Sequence, residues 1–478
     1  MSDTPNVVTG DFETPTVEPP EEAAQATSTG AASRREMHSI WVAGTEEPAW
    51  MRDWTDEGAQ EMLDASEDPA LQSERGVPVV DDFLHDETTA EDELQILNMG
   101  PQHPSTHGVL RLHLELDGET IVRVKPIIGY LHTGMEKTGE TLTFLQGGTN
   151  VTRMDYLSPL HMELAYSLAV ESLLGVEIPE RAQAIRVLMT ELNRVSSHLI
   201  WVATQGADIG AVSMLIYGWR EREYVLQFFE KVTGLRMNHN FIRPGGVAAD
   251  LPDGWEEDIE RLLDIVPRGV SEYEELLNEN PIFRDRTIGV GVITPEECNA
   301  LGVTGPNARA SGVEWDLRKA FPYSGIDRYD FDVPLGQHGD VYDRYLVRME
   351  EIRQSLRIVE QVLNTIPAGD YRTDDRKVTP PPRKRIDESM EALIHHFKLF
   401  TSGFKVPAGE TYRAVESPRG ELGIYLVSDG RERPWRLHAR TPSFAHIQAL
   451  PTMMTGSLVA DTIATIASID PVLGDVDR

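Results

Sequence analysis

Gly100-Pro-Gln-His-Pro-Ser-Thr-His-Gly-Val-Leu-Arg-Leu112 is the stretch on which the reading of this chain turns. Two histidines, His103 and His107, stand four apart, a spacing that on a helix would aim both imidazoles at one point. Pro104 between them, with Pro101 and Gly108 at the flanks, disfavours a regular helical turn. Beyond them Val109 to Leu116 alternates apolar and polar residues, as a half-buried strand does. Asp117-Gly118 signals a hairpin turn, and Ile121 to Ile128 returns as a second strand. The histidines are therefore expected on a constrained loop at a sheet edge, a common place for a binding group.

Downstream the hydrophobic period becomes helical. Helices are expected from Tyr156 to Leu174, ending at Gly175, and from near Pro179 through Val202. Gly206 and Gly210 interrupt that second helix before it resumes over 212–232. Further helices fall at 254–279, 341–366, 387–400 and 456–468, with Thr379-Pro-Pro-Pro-Arg383 as an extended linker and strands over 410–440. The fold class is α+β and mainly helical, with small antiparallel sheets near the N-terminus and in the C-terminal part. Four segments are expected: an acidic arm over 1–93, read as disordered; a β-hairpin over 94–130; a helical core over 131–378; and a C-terminal α/β segment over 379–478 packed on that core.

The net charge of −34 over 478 residues is unevenly spread. Residues 1–93 hold 24 acids against 4 arginines and no lysine, a net −20, and the rest of the chain carries −14. This balance disfavours nucleic acid and docking on anionic lipid through a basic patch. No apolar run reaches the ~18 residues of a membrane span, and no secretory signal is visible, so membrane association is expected through partners. The single cysteine, Cys298, excludes an internal disulfide and a cysteine-held iron–sulfur cluster. Motifs for zinc proteases, P-loops and dinucleotide binding are missing from the sequence.

Each candidate residue has an ordinary reading when taken singly. Either histidine can be a hydrogen-bonded structural group. Tyr156, in RMDYLS, can be a core-edge aromatic. Asp208, among apolar residues between helical segments, can be a helix cap, although an acid in such surroundings needs a partner and a histidine is a natural one. Arg243-Pro-Gly-Gly246 reads as a tight loop, His395-His396 as half surface and half core, and Arg220-Glu-Arg-Glu223 as a solvated or subunit-facing helix surface.

Taken together, the segments resemble one family, the D subunits of respiratory complex I, the proton-pumping NADH:quinone oxidoreductase. The matching pieces are GPQHPSTHGVLRL at 100–112, IGYLHTGMEK at 128–137, RMDYLS at 153–158, ELNRVSSHL at 191–199, FIRPGG at 241–246 and RASGVEWDLRKAFPYSG at 309–325. TPPPR at 379–383, RGELGIYLVSDG at 419–430 and SIDPVLGDVDR at 468–478 complete the set. The family looks like a descendant of the nickel–iron hydrogenase large subunit, which implies a hydrogenase-like helical core. The terminal region that holds metal-binding cysteines in hydrogenases reads here Asp470-Pro-Val-Leu-Gly-Asp475, so no metal is expected.

The resemblance implies that His107 and Tyr156 hydrogen-bond the quinone carbonyls, with His103 as a further contact, and that Asp208 pairs with the histidine. It implies that NADH and the iron–sulfur clusters belong to other subunits, and that the quinone sits at the interface with the iron–sulfur B subunit. The C, I and H subunits are the other expected partners, and the cytoplasmic face of the cell membrane is the expected location. Proton transfer to the quinol would leave Asp208 less well paired, a trigger for proton pumping. At Asn238, where many family members carry a histidine near the cluster, a non-titrating side chain favours menaquinone over ubiquinone. A related complex fed by reduced deazaflavin or ferredoxin, or a scaffold without quinone contact, are the alternatives.

Overall fold

In the computed structural model of the protein, residues 94–101 and 108–478 are described. The N-terminal sheet follows from the alternation in the sequence. Strand β2 (Arg111–Asp117) buries Leu112, Leu114 and Leu116 and turns Arg111, His113 and Glu115 to the other face. It pairs antiparallel with β3 (Thr120–Ile127) through a turn in which Gly118 adopts φ +61°, a left-handed conformation that glycine tolerates. A strand absent from the expected hairpin, β1 (Gln95–Met99), adds to the other side of β2, making three strands. Its mixed exposure hid it from a reading based on alternation.

The apolar face of this sheet is covered by the other end of the chain. Leu110, Leu112, Leu114, Ile121 and Val124 pack with Ile447, Leu450, Met454, Ile466, Ile469 and Leu473. Backbone bonds fasten the two: Ile121 N–H donates to Ser457 O at 2.9 Å, and Gly456 N–H to Ile121 O at 2.8 Å. That pairing holds 456–458 in a turn and an isolated bridge, Leu458 to Thr120, so the helix expected from 456 begins only with a 3-10 turn at Val459–Asp461.

Next come α1 (Met135–Thr141), α2 (Phe144–Val151), α3 (Pro159–Leu174), α4 (Glu180–Asp208), α5 (Ser213–Thr233) and α6 (Trp255–Leu277), then short helices, and the long α7 (Val341–Thr365). The expected helices over 254–279 and 341–366 correspond to α6 and α7. Helix α3 starts at Pro159 rather than Tyr156, because Pro159 occupies its first turn and Asp155 ties down the segment before it. Gly206 does not break α4. A Cβ there would lie 2.7 Å from the Met214 side chain, so Gly206 is where α5 comes close, and α4 runs on to Asp208.

The charge run at 220–223 is a second departure from expectation. Glu221 and Arg222 are buried, and Glu221 takes hydrogen bonds from Tyr273 Oη on α6 and Arg220 Nε. Beyond α7 a short helix, Arg383–Glu388, precedes α8 (Met390–Ser402), so the helix expected at 387–400 is two helices. A two-residue hairpin between α5 and α6, β4 (Ile242–Arg243) with β5 (Gly246–Val247), turns through Pro244-Gly245, which bears out the tight-loop reading of 243–246. After α8 come three antiparallel strands, β6 (Gly409–Ser417), β7 (Gly420–Ser428) and β8 (Arg436–Arg440), then α9 (Thr462–Ser468) and a terminal turn, α10 (Leu473–Asp477). The molecule is thus the expected α+β fold, mainly helical with small antiparallel sheets at the two places anticipated.

Helix α3 is buried along most of its length, and its two acids explain how. Glu171 pairs with Arg186 of α4 and accepts the Gly245 N–H. Glu163 accepts the backbone N–H groups of Asn240, Phe241 and Ile242 at 2.5, 2.7 and 2.8 Å. That one carboxylate holds the segment that begins at Asn238, where φ is +52°. Glu163→Gln replaces an acceptor with an amide that also donates, leaving buried N–H groups unsatisfied. The expected cost is about 2 kcal/mol, read as a lower unfolding midpoint; an unchanged midpoint would show that the three bonds do not hold this segment.

Candidate functional site around Tyr156

Tyr156 lies in the turn between α2 and α3, and its neighbours fix it from three directions. Asp155 Oδ1 accepts the N–H groups of Leu157 and Ser158 at 3.2 and 3.1 Å, and Asp155 Oδ2 accepts the Ser158 hydroxyl. The same carboxylate receives Arg419 Nη1 at 3.1 and 2.9 Å. Arg419 comes from the β6–β7 turn and reaches the C-terminal segment as well, with Nε donating to Asp470 O at 3.1 Å and Nη2 standing 3.2 Å from Asp470 Oδ2. The guanidinium is fully buried, so these contacts compensate its charge in place of water.

The third direction is Gly474 on α10. A Cβ at this position would lie 2.6 Å from Met154 O and 3.3 Å from Tyr156 Cε1. Only a glycine lets the terminal turn close over the Tyr156 ring. Asp477 fastens the same turn to the end of the N-terminal sheet by accepting the N–H groups of Gly129 and Leu131 at 2.8 and 2.7 Å. Tyr156 remains 36% exposed, while burial raises its hydroxyl above the ordinary tyrosine range. A hydroxyl of that kind is a hydrogen-bond donor that keeps its proton until a strong acceptor arrives.

Asp208 is the last residue of α4 and half-buried; burial pushes its carboxyl up to about 6. It stands at a helix C-terminus, not at the N-terminus where an acid would cap the backbone N–H groups, which removes the ordinary reading of this residue. His103 and His107 lie outside the described residues, on the connection that leaves β1 at Met99 and enters β2 at Arg111. The structure thus supplies surroundings for Tyr156 and Asp208, which sit on separate elements. No local pattern in the sequence marks Asp155, Arg419 and Gly474 as the supports of Tyr156. RMDYLS contains Asp155, but nothing in a linear pattern pairs it with an arginine 264 residues away.

Asn238 lies in the segment held by Glu163, and its neighbour His239 is buried against the edge of Phe229 with ring centroids 5.1 Å apart. One ring nitrogen, Nε2, contacts Arg236 O at 3.1 Å, and burial lowers the imidazole to about 4. His239 is therefore neutral at physiological pH and does not take over the role of a titrating histidine at 238.

Fold and site together define a mainly helical α+β protein in which a buried arginine and carboxyl cluster backs a half-exposed, protonated tyrosine. The comparisons with known proteins give the particular family. Residues 208–478, more than half of the chain, match the family described as Respiratory-chain NADH dehydrogenase, 49 Kd subunit. In Chloroflexus aurantiacus, the NADH-quinone oxidoreductase D subunit numbered 2 is 54% identical over 405 residues, spanning 84% of this chain and 98% of the relative. The D subunit numbered 1 of Roseiflexus castenholzii is 56% identical over 389 residues, with coverage of 81% and 93%. The Mycobacteroides abscessus D subunit is 54% identical over 407 residues, with coverage of 81% and 94%.

The chain belongs to the 49 kDa, or D, subunit family of NADH-quinone oxidoreductase, respiratory complex I. It is accordingly one subunit of a multi-subunit oxidoreductase. Among the described residues no helix is long and apolar enough to cross a membrane.

Gly474→Ala tests the packing of the site directly. The added methyl meets backbone at Met154, which cannot swing aside as a side chain end can. Overpacking of this kind costs about 1–3 kcal/mol, and the variant is expected to show a lower unfolding midpoint. An unchanged midpoint would mean that α10 does not close on Tyr156 as described.

Proposed function

We propose that this chain is the quinone-binding subunit in the peripheral arm of a proton-translocating NADH:quinone oxidoreductase. The observation that carries the reading is the setting of Tyr156, a protonated hydroxyl half open to its surroundings, on a segment held by Asp155 and Arg419 with Gly474 closing over the ring. Two-electron reduction of a quinone builds charge on two oxygens, each of which needs a donor. Tyr156 serves one of them and His107 the other, with His103 as a further contact. Asp208 pairs with His107 and raises its proton affinity. Its half-buried carboxyl, ionised at neutral pH with the value near 6, is suited to a cationic partner.

In this reading the electrons arrive from the terminal iron–sulfur cluster of the B subunit, and the quinone lies between B and this chain. The C, I and H subunits are the other partners, and the assembly holds this chain peripherally at the cytoplasmic face of the cell membrane. Loss of the His107 proton to the quinol leaves Asp208 less well paired and starts the movement that drives pumping. The acceptor is menaquinone. Asn238 cannot titrate and His239 stays neutral, so neither ties the cluster potential to pH.

Two measurements test this reading. In membranes carrying Tyr156→Phe, NADH:quinone turnover is expected to fall by about 10²-fold or more, the scale of a lost catalytic proton donor, while NADH:ferricyanide activity stays intact. Unchanged quinone turnover would remove Tyr156 from the site. The midpoint potential of the cluster nearest the quinone is expected to be flat between about pH 6 and 8, since neither Asn238 nor His239 titrates there; a steep slope would contradict the assignment of menaquinone.

A further inference from the structure

Behind Tyr156 the chain buries more carboxyls than it neutralises. Asp155 has both oxygens on Arg419 Nη1 and also receives the Ser158 hydroxyl. Asp470 has the Arg419 guanidinium at 3.2 Å and also lies in the field of Arg348. Asp475 is a third acid, fully buried, in the field of Arg419 but with no ion pair of its own among the described residues. Its Oδ2 accepts the Ser443 N–H at 3.2 Å, and its Oδ1 has no hydrogen-bond partner among the described residues. It adjoins Gly474, where a Cβ would lie 3.3 Å from Tyr156 Cε1.

The elements packed around this acid offer little else to balance it. Tyr156 and Asp155 come from the segment before α3, Arg419 from the β6–β7 turn, and Asp470 from the turn before α10. Ser443 and Thr441, at the start of the helix Pro442–Gln448, contribute a backbone N–H to the Asp475 carboxyl and a hydroxyl to its carbonyl. His161 and His446, which also face Arg419, are kept neutral by burial. Arg348 directs Nη1 to Arg344 O and Ser468 O and Nη2 to Asn307 Oδ1, and among the described residues its Nε has no hydrogen-bond partner.

We propose that the charge state of Asp475 sets how readily Tyr156 gives up its proton, making Asp475 a positioning residue for quinone reduction and the source of an alkaline limit on it. The inference rests on the assignment of Tyr156 to the quinone site. Burial, reinforced by the charge on Asp155 and opposed by the Ser443 hydrogen bonds and Arg419, pushes Asp475 up to about 7, so it is neutral at low pH and ionises as pH rises. As a neutral acid it leaves Asp155 and Asp470 as the anions facing Arg419 and Tyr156. Once ionised it adds a third negative charge, which raises the proton affinity of the hydroxyl and opposes transfer to the quinone. The sign is therefore fixed: turnover falls as pH rises through the Asp475 titration.

The test is NADH:quinone turnover against pH in membranes carrying the assembled complex, for wild type, Asp475→Asn, Asp475→Glu and Tyr156→Phe, with NADH:ferricyanide activity as the assembly control. Wild type is expected to lose turnover as pH rises past about 7. Asn cannot ionise, so Asp475→Asn is expected to move that fall up by about one pH unit or more. Asp475→Glu retains a titrating carboxyl and is expected to retain the fall at a shifted midpoint. An Asp475→Asn profile superimposed on wild type overturns the proposal. If that variant does not assemble, an Asp475→Glu midpoint identical to wild type overturns it instead. Tyr156→Phe separates the two levels. Should it remain active, the site assignment fails and the inference with it; should it be inactive while Asp475→Asn tracks wild type, the inference alone fails.

Discussion

The buried Arg419 guanidinium is the contact on which the rest of the site depends. It joins three parts of the chain that are distant in sequence: the Tyr156 segment through Asp155, its own β6–β7 turn, and the C-terminal segment through Asp470. Removing it would strand two buried carboxylates, and breaking a buried pair of this kind costs about 3–5 kcal/mol.

The same economy runs through the helical core. Arg309 pairs with Glu351 at 2.5 Å and Glu416 at 2.7 Å, Arg318 pairs with Asp316 and Glu191, and His198 contacts Glu351 at 2.8 Å. These groups link α4, α7, β6 and the loop around 309–318 in one buried network. Pairs in such a setting are directional, so they fix how the elements sit against one another more tightly than apolar packing alone. The N-terminal sheet is held differently. Its leucines pack under the C-terminal segment, and Asp477 binds the backbone at Gly129 and Leu131. The sheet from which the His103 and His107 connection springs and the turn that closes over Tyr156 therefore share one apolar cluster and one carboxylate clamp.

Much of this was legible in the sequence where a local pattern decides structure. The alternation at 109–116, the Gly175 stop of α3 and the long helices near 254–279 and 341–366 are set by neighbours a few residues apart. The misses share a different cause. Gly206 reads locally as a break, yet it sits in α4 because Met214 needs the space. Glu221 and Arg222 read as surface, yet both are buried and Tyr273 of α6 satisfies Glu221. Tyr156 could be named from its motif, but its support could not. Asp155, Arg419 and Gly474 act only after the two ends of the chain have met, and no periodicity encodes that meeting.

The proposed contact of a quinone oxygen with Tyr156 Oη is checked most directly by a structure of the assembled complex with a short-chain menaquinone analogue bound. The expected result is a headgroup oxygen at hydrogen-bond distance from Tyr156 Oη, about 2.7 Å, with Asp155, Arg419 and Gly474 arranged around Tyr156 as they are here. A headgroup bound with its oxygens away from Tyr156, or a Tyr156 ring displaced from Gly474 when the quinone is present, would contradict it.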